Sequence, residues 1–160
     1  MNMRARLFGI AAVLCLGYLV TSSASGEAVE ILDLATFAQS SVDIGKTPHP
    51  QHFDVWVADT PERQTQGLMY VRDLPAGRGM LFLEPQAKRA AFWMKNTYVA
   101  LDMLFIGPDH RIVKIAARAA PLSLDVITSD APVIAVLEIK GGEAQRRGIQ
   151  VGEPVSWPGA

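Results

Sequence analysis

The chain has 160 residues, of which 49% are hydrophobic and 19% are charged, and its formal net charge at pH 7 is −1. This length and composition predict a single domain with one packed core. The balanced charge lacks the strongly basic surplus that is typical of nucleic-acid-binding proteins, so we expect no nucleic-acid partner.

The first 26 residues have the order of a secretory signal peptide. Arg4 and Arg6 form a positive segment, residues 7–20 are apolar, and residues 21–26 are small. We expect cleavage near residues 25–27 and a periplasmic or secreted mature protein. Membrane contact is then expected only through the signal peptide, before cleavage.

Two other fates of this segment are less well supported. The apolar run is shorter than the ~20 residues that span a bilayer, which argues against a retained anchor. The bulky Leu14 before Cys15 argues against a lipoprotein signal. Cleavage removes the only cysteine and leaves 13 basic and 16 acidic residues, a net charge of −3. The predicted mature chain is therefore cysteine-free, without a disulfide or thiolate ligand.

The N-terminal part of the predicted mature chain has a weak pattern. Residues 29–34 alternate weakly and predict a strand, whereas residues 35–50 have no clear period and predict a linker or edge segment. We therefore divide the chain into a signal peptide at 1–26, a strand plus an irregular segment at 27–51, and one β domain at 52–157.

The β domain begins with a clearer pattern. Residues 52–58 alternate as a strand does, and a short helix is predicted next. Thr60 is suited to the N-cap, Pro61 to the first helical position, and Gly67 to the end of the helix.

Most of the remaining chain predicts short strands. Five runs are rich in β-branched, aromatic or aliphatic residues and are bounded by turn formers, at 79–83, 90–95, 101–106, 111–118 and 132–140. Residues 107–110 predict a hairpin loop, residues 143–147 one helical turn ended by Gly148, and residues 154–157 an edge strand. These elements predict a mainly β fold, a single antiparallel β-sandwich or distorted barrel with one or two short helices.

Four segments together resemble the domain of unknown function 192 family. They are Gly67-Leu68-Met69-Tyr70, Gly79-Met80-Leu81-Phe82, residues 92–97 with Leu101-Asp102, and Val136-Leu137-Glu138. The similarity runs from about residue 53 to residue 155. It implies a compact, mostly antiparallel β-sandwich or jelly-roll-like domain, often exported in bacteria, without an established activity. The chain departs from the family pattern with Ala100 in place of a proline and with Val71 inserted before Arg72.

The third of these segments is the predicted functional surface, because it combines apolar walls with several hydrogen-bonding groups. The predicted ligand-binding residues are Trp93, Lys95, Asn96, Thr97 and Asp102, and the predicted supporting residues are Met69, Arg72, Met80, Met94 and Glu138. Trp93 and Lys95 share one strand face and could form a stacking platform beside a cation. The alternative is an interior tryptophan with Lys95 pointing outward. Asn96 and Thr97 are expected to build a turn.

The two carboxylates each allow a functional and a structural interpretation. Asp102 lies in an apolar strand and could orient a ligand or act as a general base. Alternatively, it could accept backbone hydrogen bonds from residues 97–100 or pair with Lys95 or Arg72. Glu138 could oppose Asp102 as a two-carboxylate pair, although a solvent-facing glutamate or one paired with Arg146 is the more ordinary expectation.

Metal and cofactor chemistry is not indicated. Clustered methionines can bind Cu(I), but the four in the β domain lack the spacing of a copper site, and we expect them to fill the core. His49, His52 and His110 are scattered. We therefore predict no metal and no cofactor. The chain also lacks the common hydrolase and nucleotide-binding motifs.

The leading functional prediction is an exported, non-enzymatic binding module for a small polar or carbohydrate-like ligand. One alternative is an envelope enzyme that uses Asp102, with Glu138 or Lys95, in acid-base chemistry. The other is a structural or interaction domain with an exposed apolar patch.

Overall fold

The computed structural model describes residues 31–46 and 48–160, so the predicted signal peptide and its cleavage site lie outside the described residues. The described part forms nine strands and two short α-helices after a 3₁₀ turn at Leu34–Thr36. The strands are β1 Ala38–Ile44, β2 Gln51–Ala58, β3 Arg78–Lys88, β4 Ala91–Phe92, β5 Leu101–Ile106, β6 Ile112–Ala119, β7 Ile127–Thr128, β8 Val133–Lys140 and β9 Val155–Ser156. The helices are α1 Pro61–Gln66 and α2 Glu143–Arg147. None of the helices in these two ranges is long and apolar enough to span a membrane.

Seven strands form one sheet in the order β6-β5-β8-β3-β2-β1-β9, and β4 pairs with β7 in a small second sheet. All neighbouring strands are antiparallel except β2 and β3, which are parallel. A parallel pair requires a crossover connection, and residues 59–77 with α1 provide it. The predicted mainly β class with short helices is confirmed.

The large sheet curls into a half-barrel. Val42 and Phe53, near one edge of the sheet, share a buried cluster with Leu104 and Ile112, near the other edge. The two edges also meet through an antiparallel bridge between Arg111 and Pro154. The curled sheet matches the distorted-barrel form of the prediction more closely than a two-sheet sandwich.

Side chains alternate between the two faces of this sheet and form two cores. The inner core contains Leu81 and Leu104 and fills the half-barrel. The outer core contains Met80, Met94 and Met103 and lies on the opposite face. The described methionines of the outer core are completely or almost completely buried, as expected for core filling.

For residues 35–50 the linker alternative is wrong. The edge-segment alternative is closer to the structure, because the strand formed here lies next to the last strand of the large sheet and pairs with it at only two positions. Residues 38–44 form β1, which pairs with β2 along its whole length. Only Val42 and Ile44 of this strand are buried, while its first half is polar, so the alternation is too short to stand out. The predicted strand at 29–34 is not found in the described residues 31–34, where the 3₁₀ turn begins.

The helical predictions are confirmed at both positions. Thr60 Oγ1 accepts a hydrogen bond from the Arg63 backbone N–H at 3.3 Å, and α1 ends at Gly67 with φ +51°. Gly148 ends α2 in the left-handed conformation.

The strand predictions differ from the structure mainly around the small sheet. The predicted strand at 90–95 is reduced to two residues, because the chain turns after Phe92. Its partner β7 has only two residues and was not predicted.

Candidate functional site

A cleft of about 520 Å³ lies between helix α1 with its following loop and the outer face of the large sheet. This volume is within the range of small-molecule sites. The α1 side contributes Pro61, Gln64, Thr65, Gln66, Gly67, Leu68 and Met69. The sheet side contributes Phe82, Glu84, Lys88, Arg89, Ala90, Ala91, Phe92, Trp93, Thr97 and Glu138.

All four segments that carry the family resemblance reach this cleft. Met69 comes from the first segment, Phe82 from the second, Trp93 and Thr97 from the third, and Glu138 from the fourth. These segments are far apart in the sequence, and the crossover between β2 and β3 brings the first of them over the other three.

Glu138 is the buried polar group of the cleft. It lies on β8, directly between Met80 on β3 and Met103 on β5, and only 4% of its surface is exposed. Its carboxyl group makes no hydrogen bond or ion pair with any residue in the described ranges. Burial raises the pKa of Glu138 to about 8, because removal from water penalises the charged form. At neutral pH this carboxyl group is therefore predominantly protonated and can both donate and accept a hydrogen bond.

The expectation that Glu138 faces solvent or pairs with Arg146 is wrong. Glu138 shares its strand face with Val136, which lies in the outer core, because side chains two residues apart point the same way. Helix α1 and its loop then cover this face, which the sequence of β8 alone does not reveal.

A second carboxylate lies at the edge of the cleft. Lys88 Nζ is 2.6 Å from Glu84 Oε2, so this pair neutralises itself. Arg89 beside it is exposed. On the helix side, Gln64 Nε2 donates a hydrogen bond to the Leu83 carbonyl at 2.7 Å, which holds α1 against the end of β3.

Aromatic rings form much of the apolar wall. Phe82 and Phe92 pack edge to face, with ring centroids 5.0 Å apart. Trp93 lies at the rim with 47% of its surface exposed, and Lys95 Nζ lies 5.2 Å from the centroid of its ring. Trp93 and Lys95 thus come together as the sequence indicated, although Lys95 does not line the cleft.

The other predicted residues of this segment have structural contacts. Asn96 adopts φ +55° and forms the expected turn with Thr97. Its Nδ2 donates to the Tyr70 hydroxyl at 3.0 Å, and its carbonyl accepts from the Tyr70 N–H at 2.8 Å. Asn96 therefore ties the first family segment to the third. Arg72 is exposed and lies 4.6 Å from the centroid of the Tyr98 ring, outside the cleft.

Asp102 is fully buried and is held by the backbone. Its Oδ1 accepts hydrogen bonds from the N–H groups of Arg118 at 2.7 Å and Gly142 at 2.8 Å, and its Oδ2 accepts from Ala144 at 2.9 Å. Arg118 has φ +53° and lies at an irregularity in the β5–β6 pairing. Asp102 thus pairs the N–H freed by this irregularity and also caps the first turn of α2.

Asp102 and Glu138 lie on opposite faces of the sheet. Asp102 shares its face with Leu104 of the inner core, whereas Glu138 shares its face with Val136 of the outer core. The structure therefore does not bring them together as a two-carboxylate pair. The partners considered for Asp102 in the sequence, Lys95 and Arg72, are also not its hydrogen-bond partners.

The sequence reasoning missed several lining residues. Phe82 and Phe92 stand inside the family segments and could have been included on that ground. Glu84 and Gln64 carried no signal, because only the folded chain places α1 against the end of β3. Among residues 31–46 and 48–160, no group of three or more His, Cys, Asp or Glu side chains could hold a metal ion.

The curled β-sheet and the cleft define a small β-rich domain with one covered face. The chain belongs to the domain of unknown function 192 (DUF192) family, described as "Uncharacterized ACR", whose profile matches residues 42–157. Among proteins with curated descriptions, none is significantly similar to this chain.

Two solved structures from the comparison share both fold and sequence similarity with the chain. A Novosphingobium aromaticivorans DSM 12444 protein of unknown function is 36% identical, with a TM-score of 0.75, and the match covers 82% of this chain and 94% of that one. A Sinorhizobium meliloti 1021 protein, provisionally described as a transcription regulator, is also 36% identical, with a TM-score of 0.74, covering 78% and 97%.

Proposed function

We propose that the cleft binds a small polar, carbohydrate-like ligand and that the protein is a non-enzymatic binding module. The observation that carries this proposal is Glu138. A buried polar group without a partner costs stability, and such groups are uncommon unless they serve a purpose. A ligand hydroxyl that donates to Glu138 and accepts from it would supply the missing partner.

The position of Trp93 supports a ring-shaped ligand. A half-exposed tryptophan at the rim of a cleft offers an apolar face to a sugar ring, while a polar group at the floor fixes its orientation. The lining of the cleft contains both apolar and polar side chains, which fits a ligand with both apolar and hydroxyl-bearing surfaces.

The test is a thermal-shift and protein-observed NMR screen of the full chain against neutral monosaccharides, disaccharides and amino sugars. A bound ligand should raise the melting temperature and shift the resonances of cleft residues. Trp93→Ala should weaken binding. The matched control is Trp157→Ala, because Trp157 lines a different cavity beside His110.

The proposal would be contradicted if no sugar in the screen binds. It would also be contradicted if binding is unchanged in Trp93→Ala but lost in Trp157→Ala.

An acid-base enzyme is the second candidate, and the protonated Glu138 is the observation that favours it. A carboxyl group with a raised pKa in a cleft is suited to general-acid catalysis. The version that uses Asp102 is not supported, because three backbone N–H groups occupy its carboxylate on the other face of the sheet. Product analysis of each bound saccharide distinguishes the two candidates, since a binding module returns it unchanged.

A further inference from the structure

We propose that the ligand of this cleft carries an organic ammonium group, as an amino sugar does, and that this group binds against Glu138 between the aromatic walls. This inference rests on the proposed function and specifies the class of its ligand.

The first argument is the balance of acceptors and donors inside the cleft. The Thr97 hydroxyl already donates to the Lys95 carbonyl at 3.2 Å, so it can only accept from a ligand. Gln64 Nε2 already donates to the carbonyls of Leu83 at 2.7 Å and Ala58 at 3.4 Å, so both of its N–H groups are used. Glu138 adds two carboxyl oxygens that have no partner among the residues that the structure describes. A group with three N–H donors complements such a surface better than a group that mainly accepts.

The second argument is the aromatic lining. The faces of aromatic rings carry partial negative charge and attract cations, and this arrangement is the usual means of recognising ammonium ligands. Phe82, Phe92 and Trp93 line the same cleft as Glu138. At the rim, Lys95 Nζ lies 5.2 Å from the centroid of the Trp93 ring, which is within the usual range of a cation–π contact.

The third argument concerns charge. The other charged residues of the cleft are Glu84, Lys88 and Arg89. The first two pair with each other, while Arg89 is exposed to solvent and lies close enough to Asp130 to lower the pKa of that carboxyl group. The strand neighbours of Glu138 are uncharged methionines.

A buried carboxylate needs a charge partner or several hydrogen-bond donors, as Asp102 has. Glu138 has no such donor among the described residues, so an ammonium group would bind together with ionisation of Glu138. Because burial raises the pKa of Glu138 to about 8, the carboxyl group of the empty cleft is protonated at pH 6. Its ionisation on ligand binding therefore releases one proton.

The experiment compares three probes that share one sugar ring: glucosamine, glucose and N-acetylglucosamine. At pH 6 the amine of glucosamine is charged. We expect glucosamine to bind the wild type more tightly than the two neutral sugars. This preference should grow by up to about tenfold from pH 6 to pH 7, because ionisation of a carboxyl group with a pKa of about 8 becomes less costly as the pH rises. Isothermal titration calorimetry in two buffers of different ionisation enthalpy should show about one proton released per glucosamine bound and none with glucose.

Glu138→Gln is the matched variant, because it keeps the shape and removes the ionisable group. It should lose most of the preference for glucosamine over glucose, because only the attraction of the aromatic rings remains, and it should release no proton. Equal binding of all three sugars by the wild type, lost in Trp93→Ala, would overturn the ammonium inference and leave the proposed function standing. Absence of binding by all three sugars would overturn both. An undiminished preference for glucosamine in Glu138→Gln would also overturn the inference.

Discussion

At the scale of single residues, the two buried carboxyl groups on adjacent strands show how partners decide a role. Asp102 has three backbone N–H partners and Glu138 has none among the described residues. Both residues stand in apolar strands, so the sequence indicates that both are unusual. It does not indicate which one is satisfied, because the partners of Asp102 are backbone groups 16 to 42 residues away.

Asp102→Asn should destabilise the protein by ~1.5–3 kcal/mol. The substitution replaces charge-assisted hydrogen bonds with neutral ones, and the new amide N–H group would face the backbone N–H of Ala144 or Gly142 instead of an acceptor. Urea unfolding at pH 7 measures this loss. The control is Asp73→Asn, since Asp73 is exposed and makes no side-chain hydrogen bond within the described chain. Equal stability of Asp102→Asn and wild type would contradict a structural role for this carboxylate.

Glu138 should make the stability of the protein depend on pH. Its pKa is raised from an ordinary value of 4.5 to about 8, so between these pH values the folded protein holds a proton that the unfolded chain has lost. The free energy of unfolding should therefore fall as pH rises through this window, by at most ~1.4 kcal/mol per pH unit. Glu138→Gln removes this contribution, so the variant should gain stability relative to wild type from pH 5 to pH 8.

Urea titrations of both proteins at four pH values in this range measure the difference, in which the contributions of the other titrating groups cancel. A constant difference across the range would mean that Glu138 is ionised in the folded protein.

At the scale of elements, the close pairing of β3 and β8 sets the floor of the cleft. Gly79 faces Ile139, and a Cβ atom at Gly79 would lie 2.3 Å from the Glu138 carbonyl oxygen. The glycine is therefore required by the approach of the next strand, although its own φ is not in the left-handed region. This close approach explains why the family segment Gly79-Met80-Leu81-Phe82 begins with a glycine.

Gly79→Ala should destabilise the protein by ~1–3 kcal/mol or more, because the added methyl group forces β3 and β8 apart. Since β8 carries Glu138, the same substitution should weaken sugar binding as well. Urea unfolding and the NMR titration measure the two effects together. Unchanged stability would show that the two strands can separate without cost.

The elements also show which patterns a sequence reveals. The strong alternation of residues 52–58, the turn formers at 107–110 and the cap at Thr60 predicted β2, the β5–β6 hairpin and α1. In contrast, β1 is polar in its first half, and β4 and β7 have two residues each. Such short or one-sided strands form through their partners, and their own residues carry little periodicity.

At the scale of the whole molecule, only some of the residues that line the cleft could be predicted, because they come from distant segments. Trp93, Thr97, Met69 and Glu138 were predicted from the sequence and do line the cleft. Lys95, Asn96 and Asp102 are near these residues in the sequence but have other contacts. Neighbours on one strand alternate between faces, so a run of chemically rich residues cannot all reach one cleft.

The sequence also gave no indication that helix α1 lines the cleft. Its side chains gave no chemical signal, yet the crossover from β2 to β3 lays this helix over Phe82 and Glu138 and encloses the cleft. A parallel strand pair was not expected from a sequence that otherwise predicts antiparallel neighbours. The missing information was the topology, because it decides which segment covers the outer face.

Export remains the prediction for the chain as a whole. We propose that Arg4, Arg6 and the apolar residues 7–20 direct the protein across the inner membrane and that cleavage near residues 25–27 follows. The intact mass of the protein recovered from the cell envelope should match a chain that starts at residues 25–27. This mass should not change on treatment with a thiol-reactive reagent, because Cys15 is removed. A species that retains Met1, or one that carries lipid on Cys15, would contradict cleavage at this position and would place the cleft at a membrane surface.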